Sequence, residues 1–480
     1  MAAPAAPPAG LAFAVSVDVR RDQQPHHDSR VDAHVRIKAT GTGPRDRRPA
    51  VELAVVIALD VAPARRGAAA AALAAALRTL PDGLSFAVLG GPGDCGPARC
   101  YPLRGHWALA DPDERRRAAF SAGRLPPTPD DRPPPGYGGW LAAARDLFAH
   151  RPLPVRHLIL VTDGGGHRPA DEPDRDDSPL RAELAACAGA FSADVLAIGT
   201  DWDPAPLLAL TEALHGTADT APDRFAPAVT AALRRLRRVR SPELPVVVTA
   251  RPAVTGVTLT ETAPRPLLLT AATPAGNRHR YAFATHQWEP GTRDYLLTLA
   301  ADAGTEPLGV LLQLAAVSVG DAAAPLLVRW LPPGVAVGAG GTGPGAAGGG
   351  DGGGGTVDAV NAATRMRAAL NRGYAALDPM SREEAEQQFG LAVRLAHEIG
   401  AAWVLADVRK VADILDGARG LVRVGPTVDR GTVREGRLHV ASGHLLDLPA
   451  HPAGTPRACP GCRHLAGPHA RYCIACGRPL

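Results

Sequence analysis

The chain of 480 residues carries 52 basic and 48 acidic side chains, for a formal charge of +4. Its length is that of two or three domains, and so even a balance excludes the large single-sign field of a general nucleic-acid or membrane-surface binder. No apolar run approaches the ~20 residues that cross a bilayer, and residues 1–8 lack the basic start and sustained apolar core of an export signal, so a cytoplasmic protein without membrane contact is expected.

In residues 11–40, Phe13, Val15, Val17 and Val19 alternate with small or polar residues, and Val31, Ala33, Val35 and Ile37 do the same after a polar turn. This predicts a β-hairpin with one buried face. Residues 50–240 alternate strand and helix patterns, as in a doubly wound α/β domain whose parallel sheet is covered on both faces. The basic run Arg234-Arg235-Leu236-Arg237-Arg238 falls at a helix end, where cations suit the dipole. Residues 245–332 turn to short β-rich runs punctuated by turn residues, which predicts a β-sandwich. The early hairpin has no helical partner of its own, so it is expected to complete that sandwich, with the α/β domain inserted between the two parts.

Residues 334–355 are a glycine-rich linker. Such a coil spans about 25 Å and lets the two ends of the chain move independently. Residues 357–418 carry three helical patterns and predict a small helical bundle, similar to a tetratricopeptide hairpin, in which Ser381 and Glu384 form a capping box and Gly400 ends the second helix.

Residues 457–480 hold Cys459-Pro-Gly-Cys462 and Cys473-Ile-Ala-Cys476. Two such turns present four thiolates to one ion, so Cys459, Cys462, Cys473 and Cys476 are the expected ligands of zinc in a closed, structural zinc ribbon. A segment this short has too little core to fold without its metal. Cys95, Cys100 and Cys187 read as reduced thiols without a function.

Two apolar strands each end in an aspartate where a loop begins: Ala54 to Asp60, and Leu158 to Gly165, which contains Asp163. Both carboxylates are thereby delivered to the carboxyl edge of the sheet, where ligands of open α/β folds bind. This pairing resembles the von Willebrand factor A family, whose metal-ion-dependent adhesion site begins D-x-S-x-S and takes a threonine and an aspartate from later loops. The first motif here is Asp60-Val61-Ala62-Pro63-Ala64, with alanine at both hydroxyl positions, and the threonine's loop is Pro133-Pro134-Pro135-Gly136-Tyr137. Asp60 and Asp163 are therefore expected to be a vestigial metal site that holds no magnesium, which asks for six well-placed oxygens.

The order of hairpin, α/β core, β-rich segment and helical tail is similar to actinobacterial members of that family found with Ser/Thr kinases, metal-dependent phosphatases and forkhead-associated domains. The arginine, glycine and proline bias of the chain suits the same source. The resemblance implies a non-catalytic signalling adaptor with protein partners of those kinds. No Ser/His/Asp or Cys/His set shares a local setting, and the nucleophile-elbow and phosphate-loop motifs are absent, so no catalytic residue is expected. The alternative is a nucleic-acid-associated protein that binds through the ribbon, with Arg457, Arg463, Arg471 and Arg478, and through the basic helix end.

Overall fold

The computed structural model describes residues 11–25, 29–41, 51–91, 100–103, 106–124, 136–165, 178–221, 225–272, 277–332, 335, 353–377, 381–442, 457–458, 460–461 and 465–466. The chain opens with strands β1 (Leu11–Val19), β2 (Asp22–Gln23) and β3 (Ser29–Gly41). The α/β segment follows as β4 (Leu53–Asp60), α1 (Pro63–Leu77), β5 (Ser85–Leu89), β6 (Cys100–Tyr101), β7 (Ala108–Leu109), α2 (Pro112–Ala122), α3 (Tyr137–Ala149), β8 (Val155–Thr162), α4 (Ser178–Cys187), β9 (Ser192–Ile198), α5 (Pro204–Ala213), β10 (Ala218–Ala221) and α6 (Ala226–Leu236). Its sheet runs β10-β9-β8-β4-β5-β6, with β7 also on β5. The strands from β10 to β5 are parallel to their neighbours, and β6 and β7 close the far edge antiparallel.

Every residue of β4 is buried, which is why its sequence is a continuous apolar run instead of an alternating one. Leu53, Val55, Ile57 and Leu59 face the layer of α1, α2 and α6. Ala54, Val56 and Ala58 face the layer of α3, α4 and α5.

Ten strands follow: β11 (Ser241–Glu243), β12 (Val246–Ala250), β13 (Val254–Ala263), β14 (Leu267–Leu269), β15 (Ala271–Ala272), β16 (Arg280–Phe283), β17 (His286–Trp288), β18 (Gly291–Ala301), β19 (Leu311–Val319) and β20 (Ala322–Trp330). Eight of them join β1, β2 and β3 in two facing sheets, β1-β3-β18-β13-β14 and β15-β16-β12-β19-β20-β2, while β11 and β17 pair with each other. The N-terminal hairpin pairs with β18 along eleven positions, from Ser29 opposite Ala301 to Ala39 opposite Gly291, and not with the α/β sheet. Val31, Val35 and Ile37 share a buried core with Tyr295, Leu297, Val248 and Val317. Phe13 meets the edge of Trp288, with ring centroids 5.2 Å apart.

The tail contains α7 (Gly353–Leu377), α8 (Arg382–Ile399), α9 (Ala402–Val408), β21 (Ala412–Asp416), β22 (Leu421–Val424) and α10 (Arg430–Ser442), then two-residue strands β23 (Arg457–Ala458) and β24 (Leu465–Ala466). Three expectations are corrected here. Helix α7 already includes Gly353 to Gly355, assigned to the linker, because the first turn leaves its N–H groups without intrahelical partners and so punishes glycine least. The bundle does not end at residue 418: Val411 and Leu415 look helical by spacing, but Gly420 at φ +68° turns the chain into a hairpin instead. Gly390 on α8 and Gly420 approach so closely that a Cβ on either would strike the other's carbonyl. Helix α8 does begin after Ser381 and stop at Gly400 (φ +75°), yet Ser381 makes no side-chain cap; its carbonyl accepts the Ala385 N–H instead.

Nor do the two ends move independently. Arg20 pairs with Asp358 at 2.9 Å, Asn361 donates to Asp32, and Arg367 donates to the Thr262 carbonyl, so α7 lies on the sandwich. Leu438 of α10 is fully buried in the α/β core. Periodicity showed that these helices have an apolar stripe, but period alone does not say what covers it.

Candidate functional site

At the carboxyl edge Asp60 ends β4 directly opposite Thr162, which ends β8. The Thr162 hydroxyl donates to Asp60 Oδ2 at 2.8 Å and accepts the Gly164 N–H at 3.1 Å. Asp163 is 3% exposed. Its carboxylate accepts the Ala62 N–H (3.2 Å to Oδ1 and 3.0 Å to Oδ2) and the Gly165 N–H (2.9 Å to Oδ1). The fold thus brings together the two aspartates expected here. Each is held by protein donors.

Three side chains complete the edge that motif spacing did not single out. Thr162 sits inside the second motif itself. Tyr137, the first residue of α3, is buried beside Thr162 and Asp60; burial first, then the Asp60 charge, pushes its phenol well above the usual range. It stands at the end of the loop where the family carries its threonine, as a lone phenol opening an apolar helix. Arg65, in the first turn of α1, lies with Nε 3.9 Å from Asp163 Oδ2 and Nη2 3.9 Å from Asp201 Oδ2. Of the proline loop, residues 125–135 lie outside the described residues.

A second polar cluster sits at the opposite end of the sheet. His157 on β8 faces Ser192 Oγ through Nδ1 at 2.7 Å and Asp194 Oδ2 through Nε2 at 3.0 Å. Sequence spacing hid this Ser/His/Asp set, because its members come from neighbouring strands. It is built as a core network and not as a nucleophilic site. His157 is fully buried, Gln287 of the sandwich donates to Ser192 Oγ, and that oxygen itself donates to the Arg156 carbonyl, so the hydroxyl is committed to protein partners. Asp194 also accepts the Thr217 N–H (2.8 Å) and hydroxyl (2.9 Å) and pairs with Arg235. Burial alone would raise its pKa, but the Arg235 and His157 charges overcome that and hold the carboxyl far below its usual value.

The basic helix end is therefore spent at the junction between α/β domain and sandwich: Arg235 on Asp194, and Arg238 on Glu289 at 3.0 Å. Beside it His215 and His286 stack across the junction with ring centroids 4.2 Å apart. Burial first, then the facing imidazole and Arg265, lower His215 to about 4; burial, Arg265 and Arg293 lower His286; Glu243 opposes the shift on His215. Both folded values lie below the ordinary 6.5, so the unfolded chain takes up protons first. The stability from these groups is whole above pH ~6.5 and is lost as pH falls toward ~4. Melting scans from pH 7.5 to 4 should show this decline, and His215→Gln with His286→Gln should flatten it; an unchanged slope in the double variant would refute the assignment. His439 on α10 has the opposite sign, since its bond to Asp219 raises it.

The expected zinc ligands Cys459, Cys462, Cys473 and Cys476 lie outside the described residues. Cys187 is buried, and burial with the Glu183 carboxylate pushes its thiol to about 12, which keeps it protonated.

Residues 53–220 match the von Willebrand factor type A domain family. Among solved structures, the chain is similar to a von Willebrand factor type A protein from Catenulispora acidiphila, with 22% identity and a TM-score of 0.72 over 91% of this chain and 97% of that one. It is also similar to the ArnB paralog VWA2 from Sulfolobus acidocaldarius, with 11% identity and a TM-score of 0.48 over 91% of this chain and 99% of that one. Nothing among the curated proteins matches it. The chain therefore contains a von Willebrand factor type A domain within a larger fold of several sheets and helices, and no helix among the described residues is long and apolar enough to cross a membrane.

Proposed function

We propose that this chain is a non-catalytic protein-protein interaction scaffold whose von Willebrand factor A edge engages partners without magnesium. The observation that carries the reading is the self-contained hydrogen bonding of that edge. Asp60 and Asp163 already accept N–H and O–H donors, and Ala62 and Ala64 offer methyl groups where the family's metal site has hydroxyls. This donor set does not fit an ion that demands six well-placed oxygens. Domains of this fold serve widely in protein association, and the segment order supports an adaptor among kinases, phosphatases and forkhead-associated proteins of an actinobacterial cytoplasm. The four C-terminal cysteines belong to the same proposal as structural zinc ligands.

Affinity capture of the full-length protein from native lysate, with magnesium and with a magnesium chelator, tests this reading, and the purified bait is analysed for one bound zinc ion per chain. Signalling proteins recovered equally in both arms are the expected result. Recovery that collapses without magnesium would overturn metal independence. Recovery of nucleic-acid machinery with a steep loss in salt would favour the ribbon and basic helix as a nucleic-acid surface, although Arg235 and Arg238 are committed to carboxylates.

A further inference from the structure

We propose that the Arg65 guanidinium is the resident cation of the carboxyl edge, occupying the electrostatic role that a divalent ion holds in metal-binding relatives and closing the site to such ions. The proposal concerns the same edge as the scaffold reading. It reads ion response and not partner capture, so either can fail alone.

Asp163 is nearly inaccessible, Asp60 is 7% exposed, and Asp201 reaches the same edge from the loop after β9. The two buried carboxylates repel one another and require compensation, and the exposed Asp201 adds to the negative field. The backbone supplies part of it through the Ala62 and Gly165 N–H groups and the positive end of α1. The one guanidinium within 4 Å of both Asp163 and Asp201, among the described residues, is that of Arg65.

Space gives an independent argument. A Cβ on Gly199 would lie 2.8 Å from Arg65 Cζ and 2.9 Å from each Nη atom. The guanidinium thus rests on the bare backbone of Gly199, which sits at φ +71°, a conformation that glycine adopts without strain. The Ala62 methyl closes the neighbouring wall, since a Cβ on Gly165 would come within 2.8 Å of it. The edge is shaped around an arginine: a glycine floor beneath the fork, carboxylates on two sides, and no hydroxyl at Ala62 or Ala64 for an ion.

The test compares the full chain with Arg65→Gln and Arg65→Lys in thermal melting, with magnesium chloride or with sodium chloride of equal ionic strength. Wild type is expected to melt at the same temperature in both salts. Arg65→Gln keeps a polar side chain but ends two atoms short of the Nη groups and removes the charge; it should melt about 2–4 °C lower and recover part of that loss in magnesium. Arg65→Lys should melt between the two and ignore magnesium. Without the family's hydroxyls an ion there is held by carboxylates and water alone, so binding of manganese, read by its electron paramagnetic resonance signal, should be weak and appear in Arg65→Gln alone. Magnesium that stabilises wild type would overturn the proposal. So would an Arg65→Gln protein that melts like wild type, or one whose loss neither ion recovers, since Arg65 would then be only a packing residue.

Discussion

Asp194→Ala is expected to lower the stability of the α/β domain by about 3–5 kcal/mol, the cost of removing one member of a buried ionic network. Three donors converge on this carboxylate, the Thr217 N–H and hydroxyl and the Arg235 guanidinium, and His157 Nε2 lies 3.0 Å from it. Alanine leaves them facing a cavity, and the fully buried His157 cannot turn to water. Asp194→Asn retains an acceptor for Thr217 but not the charge that Arg235 faces, so it should fall between wild type and alanine. Urea unfolding checks both, through the midpoint of the transition. A midpoint for alanine equal to wild type would show that the network is solvated and contributes little. The same experiment reaches the domain junction, because Gln287 joins the network through Ser192.

Leu438→Ala is the second large effect. Leu438 is a tail residue that completes the layer containing Trp202, Leu207 and Ala218. Truncating a fully buried leucine costs about 2–5 kcal/mol, and here the loss falls mainly on the docking of α10. The polar contacts left behind are modest: Arg434 to the Thr200 carbonyl at 2.7 Å, and His439 to Thr220 at 3.0 Å. Hydrogen exchange should therefore quicken in residues 430–442 and in β10, whose outer edge α10 covers, while β4 and β8 stay protected. Unchanged exchange in β10 would mean that the tail does not brace this edge. At a pH high enough to discharge His439 the effect should grow, because a raised folded pKa gives stability that disappears as pH rises through it.

Much of this architecture is legible in local pattern. Continuous apolar runs marked β4 and β8 as buried parallel strands, and strict alternation marked β1 and β3 as half-buried. The aspartates that end the first pair could be placed at one edge because parallel neighbours carry their ends to the same side. What sequence did not yield are relations between segments. Arg65 follows Asp60 by five residues, yet its meaning depends on Asp163 and Asp201, far along the chain. His157, Ser192 and Asp194 look scattered until β8 and β9 lie side by side. The hairpin at residues 412–424 is hidden in the sequence because valine and leucine at helical spacing outweigh Gly420, whose positive φ makes the turn.

The sandwich has a temporal side as well. His34 on β3 and Asp294 on β18 are neighbours 2.9 Å apart but separated by 260 positions in the chain. During synthesis the hairpin leaves the ribosome first and has no sheet to join until β18 follows, while the whole α/β domain emerges in between. Closure of so long a loop gains contacts only at its end. The apolar face of Val31, Val35 and Ile37 is then uncovered, and the edge of β3 that β18 will join is unpaired, throughout that interval. A folded α/β domain holds both ends of the insertion together, since Leu53 at its start and Leu236 and Val239 at its end belong to one core. The inserted domain thereby acts as the template on which its own host is assembled.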